Sequence, residues 1–235
     1  IEAGAKVTFV GDNLEYREPY VRELQARGVE VLYAPYVTSI AGISNLLTPV
    51  MVGFQDKFPD VRVRFLTDMR VFRLDYGEAH VAIRAGMGPE EPDNVVQPLT
   101  HINMALYAAR SYADRFGLPG SEAEFDGHRF VCTDAELTRA PFHRWLRSKV
   151  QPDQIVYAAS EPAALEDAVR LGAGIGFMAV YRAAQDPQMI EILPPRADWA
   201  SPLRIVTHVD LHRTRKVQAF LTHLKEAVKD WKFCG

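Results

Sequence analysis

The segment "DYGEAHVAIRAG", residues 75–86, ends the apolar run Val81, Ala82 and Ile83 on a cation, Arg84, with Ala85 and Gly86 behind it. A short run of this kind reads as a strand buried on both faces. A strand that finishes on a guanidinium beside a glycine often opens onto a cleft. Arginine carries five N–H donors in a planar fork, which suits an acidic group. The plain alternative is an ion pair at the surface or at a hinge, where most arginines are found. A second polar cluster, Tyr36, Thr38 and Ser39, also follows a predicted strand, and core packing does not account for its position. Its hydroxyls suit a carboxylate or phenol oxygen.

Enzymatic and metal chemistry find less support. None of the seven histidines stands in H-E-x-x-H, and His208 and His212 straddle a predicted strand end, so they read as surface or hinge residues. The sequence lacks G-x-S-x-G, the mark of a nucleophile elbow. "GAGIG", residues 172–176, follows a predicted helix and opens a strand, the reverse of a phosphate-cradling loop, and reads as a helix stop and tight turn. Cys132 and Cys234 form no C-x-x-C pair, and Cys132, in an apolar strand, reads as a small core residue. Glu161 and Asp134 could move protons, but nothing in the sequence pairs them. The expectation is a binding domain, not an enzyme, with no cofactor and no metal.

Composition narrows the partners. The 235 residues include 27 basic and 30 acidic side chains, a net charge of −3, which lacks the basic excess of a self-sufficient nucleic-acid binder. Two cysteines suit a reducing cytosol. No apolar run approaches the roughly 18–20 residues that cross a bilayer, and no basic n-region precedes an apolar h-region at the N-terminus. A cytoplasmic location with no membrane partner is expected.

The elements that would position these residues alternate from Gly28 onward between strand-like and helix-like segments, which indicates an α/β fold. "VEVLYAP" is a predicted strand stopped by Pro35. "TPVMVGFQDKF" is a predicted helix with Thr48 as N-cap and Pro49 at its first position. "VRVRFL" and the run around Ile83 are further strands, followed by the loop "MGPEEPDN". "HINMALYAA" and the helix "RSYADRFG" lead into a second set: strand "RFVCTD", segment "APFHRWLRSKV", strand "IVYAAS", helix "EPAALEDAVRLG" capped by Ser160, and strand "GIGFMAVY". "PLRIVTHVD" is a last strand. A long helix follows it, with Val217, Phe220, Leu221, Leu224, Val228 and Trp231 on one stripe. Linkers are expected near residues 97–103 and 200–207, giving two lobes joined at a hinge. Residues 5–28 read either as a helix or as a short βα unit with "VTFV" as its strand.

Four of these pieces resemble the effector-binding domain of LysR-type transcriptional regulators. They are "LLTPVMVGFQDKFPDVRVRF", "LDYGEAHVAIRAG" with His80 where the family usually has aspartate, "LGAGIGFMAVY", and "RTRKVQAFLTHLKE". They occur in order over about residues 29–232. "IEAG" at the start resembles the end of the family's winged helix-turn-helix, which the chain itself does not contain. The resemblance implies two Rossmann-like lobes similar to type II periplasmic binding proteins, with residues 29–100 plus 203–235 as lobe I, 101–202 as lobe II, and 1–28 as a linker segment. It also implies a small effector bound between the lobes, a homodimer or tetramer, and DNA contact only through the helix-turn-helix. Since ligands of open α/β sheets sit beyond the carboxyl ends of strands, the expected wall is Tyr36, Thr38, Ser39, Thr67, Arg84 and Gly86 in one lobe. Thr133, Asp134, Ser160 and Phe177 are expected in the other. An acidic effector would suit Arg84. A solute-binding protein of a transport system with the same two-lobe fold is the alternative.

Overall fold

The computed structural model describes residues 9–10, 32–35, 43–59, 61, 63, 65–68, 74, 79–86, 92–134 and 140–231. In chain order the elements are β1 (Phe9–Val10), β2 (Leu32–Pro35), α1 (Ile43–Lys57), β3 (Phe65–Asp68), β4 (Ala82–Ala85), β5 (Asn94–Ile102), β6 (Met104–Ala109), α2 (Arg110–Phe116) and β7 (Phe130–Thr133). They continue with α3 (Pro141–Lys149), β8 (Ile155–Ala159), α4 (Pro162–Arg170), β9 (Gly176–Ala179), α5 (Val180–Ala183), β10 (Met189–Leu193), β11 (Ser201–His208), α6 (Val209–His212) and α7 (Arg215–Val228). The described residues divide into two units, one running up to Thr100 and resuming at Pro202, the other spanning His101–Ser201. The chain leaves the first unit inside β5 and returns to it inside β11, and these two strands are neighbours in one sheet.

In the first unit β1, β2 and β3 form a parallel sheet, in which Leu32 stands beside Phe9 on one side and Phe65 on the other. Phe9 and Val10 are strand, so the βα alternative describes that point of the N-terminal segment; most of residues 1–28 lies outside the described residues. A second sheet has the order β4-β11-β5, with β11 antiparallel to β4. Helix α1 begins at Ile43, five residues before the predicted cap. The reason is its apolar stripe: Ile43, Leu47, Val50, Met51 and Phe54 recur at helical spacing and are all buried. That burial outweighs the N–H lost at Pro49, and Thr48, instead of capping, donates its hydroxyl to the Ser44 carbonyl at 2.7 Å. Helix α7 packs on α1 through Val217, Phe220, Leu221 and Leu224. Phe220 meets Phe54 edge-on at 5.3 Å, and His223 Nε2 lies 2.9 Å from the Val50 carbonyl.

In the second unit β6 is buried along its whole length between β10 and β9, antiparallel to both. β7 and β8 are parallel, and a bridge from Phe130 to Ile175 ties β7 to the segment that opens β9. Helix α4 covers this side with Leu165, Ala168 and Val169. Its N-cap position is Glu161 rather than Ser160, because Pro162 fixes the first helical φ and holds the residue before it extended. The glycines of "GAGIG" answer separate demands. Gly172 closes the helix at φ +75°, while a Cβ on Gly176 would stand 2.6 Å from Val169 Cγ2. Strand β9 stops at Ala179, and Val180–Ala183 turns helical, where a longer strand was expected. β5 is a strand where a linker was expected, and β10 is a strand in a stretch to which no element was assigned.

Two buried polar groups shape the second unit's interior. Cys132 Sγ lies 3.8 Å from His143 Nδ1, and neither side chain reaches solvent to any extent. Burial, and then the nearby Arg147 charge, hold the His143 imidazole down to about 4, while burial pushes the Cys132 thiol up against the opposing pull of Arg147. Both are neutral at physiological pH, so this is a packed thiol–imidazole contact and not an activated nucleophile.

Two stability measurements follow from this packing. Phe220→Ala, at a fully buried position, is expected to cost about 3–5 kcal/mol in urea unfolding, and Phe116→Ala, 38% exposed in the native state, well under half of that. His143 binds its proton at about 4 when folded and near 6.5 when unfolded, so its contribution is present above 6.5 and is lost as pH falls through about 4. The wild-type midpoint should therefore fall more steeply between those pH values than that of His143→Gln. Parallel curves would show that His143 binds its proton equally well in the folded and unfolded chain.

Candidate functional site

Strand ends carry the polar residues of both units. In the first, β2 and β3 run parallel with Thr67 beside Ala34, one residue from the end of each strand. Arg84 lies in β4 and is only 6% exposed, a deep position for a guanidinium. Its partner across the ladder is Arg204 of β11, so two cations stand directly opposite each other on one face. Gly86 follows β4; its N–H donates to the Pro202 carbonyl at 2.9 Å and its φ is +78°. A Cβ added to Gly86 would meet nothing within 4 Å. Tyr36, Thr38 and Ser39 lie outside the described residues.

The second unit brings three of its four expected residues to one end of one strand pair. Thr133 is paired in register with Ala159, and the Asp134 N–H donates to the Ala159 carbonyl at 3.2 Å. Ser160 is the next residue, so Thr133, Asp134 and Ser160 share the carboxyl end of the β7–β8 pair. Thr133 is buried, and Asp134 and Ser160 are exposed. Phe177 is placed differently. It is 4% exposed in β9 and packs in an aromatic cluster with Phe142 at 5.2 Å, Trp145 at 5.9 Å and Trp199 at 4.9 Å.

Two charged residues that the sequence reading passed over belong to this description. Arg204 stands in an alternating strand, where a cation reads as facing solvent. Arg147 is one of several cations on α3, and its Nη2 donates to the Thr133 carbonyl, reaching the end of β7 from the helix beside it. The buried Glu166 is accounted for within the fold: it accepts from Arg182 Nε at 2.9 Å and ties α4 to α5, with burial raising its carboxyl and Arg182 opposing. Among the described residues no group of three or more His, Cys, Asp or Glu could hold a metal ion. No helix among them is long and apolar enough to cross a membrane. The arrangement offers guanidiniums, hydroxyls and backbone N–H groups at strand ends, which is equipment for holding a small polar molecule.

Known proteins place this equipment in context. An HTH-type transcriptional regulator of Xanthomonas campestris pv. campestris is 26% identical over 202 residues, covering 82% of this chain and 57% of that protein. The probable HTH-type transcriptional regulator LtrA of Klebsiella pneumoniae is 25% identical over 193 residues, covering 78% of this chain and 62% of that protein. The chain thus spans less than two thirds of the length of either relative. Among solved structures, the regulatory domain of CrgA, a LysR-type transcriptional regulator from Neisseria meningitidis, superposes with a TM-score of 0.68 at 18% identity. That superposition covers 83% of this chain and 96% of that one. It shows the fold, the two-lobe α/β architecture of LysR regulatory domains, similar to type II periplasmic binding proteins. The family described as LysR substrate binding domain, a binding module and not an enzyme, matches residues 36–229, and the chain belongs to that family.

Proposed function

We propose that this chain is the effector-sensing part of a LysR-type transcriptional regulator and that it binds a small acidic molecule between its two lobes. The lobes are taken as residues 29–100 with 203–235, and residues 101–202. The observation that carries the reading is Arg84: a buried guanidinium, opposite a second arginine, two residues before the positive-φ Gly86 that follows β4. A guanidinium fork beside the end of a strand suits an anionic ligand. Thr67 and Gly86 in one unit, and Thr133, Asp134 and Ser160 in the other, supply polar groups at strand ends, and Tyr36, Thr38 and Ser39 supply hydroxyls. Phe177 contributes an apolar face.

Binding acts by population shift. An effector that prefers one arrangement of the lobes increases that arrangement's share in proportion to its differential affinity. In the full-length regulator the change passes to helix-turn-helix domains outside this chain, which contact DNA. A homodimer or tetramer in the cytoplasm is the expected form. The regulator names of the two curated relatives favour this reading over a transport-type solute-binding protein.

A thermal-unfolding screen against aromatic and aliphatic acids, amino acids, sugars and nucleotides tests it. A ligand at about 100 times its dissociation constant adds roughly 2.7 kcal/mol and raises the midpoint by several degrees. Hits are expected among the acids, and Arg84→Lys and Ser39→Ala should each weaken them about tenfold, or roughly 1.4 kcal/mol, with the unliganded midpoint little changed. Hits confined to sugars, or acids bound equally well by both variants, would overturn the reading.

A further inference from the structure

The second unit holds a half-buried cation that makes no ion pair among the described residues. Among its described residues three arginines are half-buried: Arg147, Arg170 and Arg182. Arg170 pairs with Asp186 at 3.3 Å and Arg182 with Glu166 at 2.9 Å. Arg147 has no carboxylate partner among the described residues. Its Nη2 donates to the Thr133 carbonyl, and its Nε–H is buried with no acceptor. Its other neighbours supply no negative charge, since Cys132 is a thiol and His143 a neutral imidazole at physiological pH. Asp134, next to Thr133 in the chain, makes no ion pair with it. A half-buried cation without a counter-charge is costly, and a fold that needed only a donor for the Thr133 carbonyl could use a neutral side chain.

We propose that Arg147 is the second unit's anchor for the acidic group of the effector, acting at the carboxyl end of β7 beside Thr133, Asp134 and Ser160. This rests on the reading of the chain as a sensor of an acidic molecule and adds to it a specificity residue in the other lobe. Arg147 presents its guanidinium at the same strand end as the polar residues expected to meet the ligand. Its bond to Thr133 fixes the fork in place before a ligand arrives. A carboxylate supplies the counter-charge that the described residues do not.

The test compares wild type, Arg147→Gln and Arg147→Lys by titration calorimetry on the intact chain. The probes are benzoate, salicylate, pyruvate and 2-oxoglutarate, each paired with its uncharged amide. The quantity read is the ratio of acid affinity to amide affinity. Arg147→Gln is expected to lower that ratio at least tenfold for the acid that binds wild type. Arg147→Lys, which keeps the charge but loses the fork, should lower it about threefold, so a Gln variant that fails to fold does not end the test. Equal weakening of acid and amide would show that Arg147 only supports the strand end and would overturn the proposal. Acid binding unchanged in both variants would overturn the anchor and leave the sensor reading standing. A wild-type chain that binds none of the acids would overturn both.

Discussion

The edge-on contact between Phe54 and Phe220 closes the core of the first unit, and it joins α1 to a helix from the far end of the chain. Nothing local can replace it. β4 finds its ladder partner in β11, so neither the helical layer nor the second sheet of this unit is complete until the C-terminal segment has returned. The whole of the second unit is threaded through that gap, entered inside β5 and left inside β11. Contacts of such sequence separation carry a loop-closure cost before they give any stability, and they slow folding relative to local packing. The second unit is less constrained, since its strands pair among residues 104–193.

That separation gives the buried charges different meanings. Glu166 with Arg182 and Arg170 with Asp186 are local pairs that hold α4 and the turn after α5 together, and their charges cancel where they stand. Arg84 and Arg204 stand in register only because β11 comes back beside β4. A core of apolar residues would pack there at lower cost. Departures from the cheapest core are where function is to be sought in an otherwise consistent fold.

Much of the architecture was legible from periodicity. The stripe of α7, the glycine-stopped α2 and the apolar face of α4 stand as their spacing predicts, because in each the burial pattern and the local stop signals agree. Helix α1 was misjudged at its start because Pro49 is a strong local signal, while the stripe from Ile43 to Phe54 is a tertiary one. β5 carries Pro98 and alternates polar with apolar residues, so its role as a strand next to β11 becomes visible only in the sheet. Among the charged residues, Arg84 was marked by the apolar run before it. Arg147 was not, since Arg144, Arg147 and Lys149 look alike on one helix and differ only in what the fold packs around them.

The relatives share this fold at identities too low to carry residue roles, so what distinguishes the chain has to be sought in its side chains. On the proposed reading the placement of cations in both units matters more than their number. A carboxylate held by one unit alone gains the same energy whatever the other unit does, and so shifts no equilibrium between arrangements. Engagement of both Arg84 and Arg147 makes the binding energy depend on the arrangement, and each tenfold difference in affinity between two states is worth about 1.4 kcal/mol toward the favoured one. On that reading sensing requires charge in both units, and a guanidinium held at a strand end in each of them is the form such charge takes before the ligand arrives.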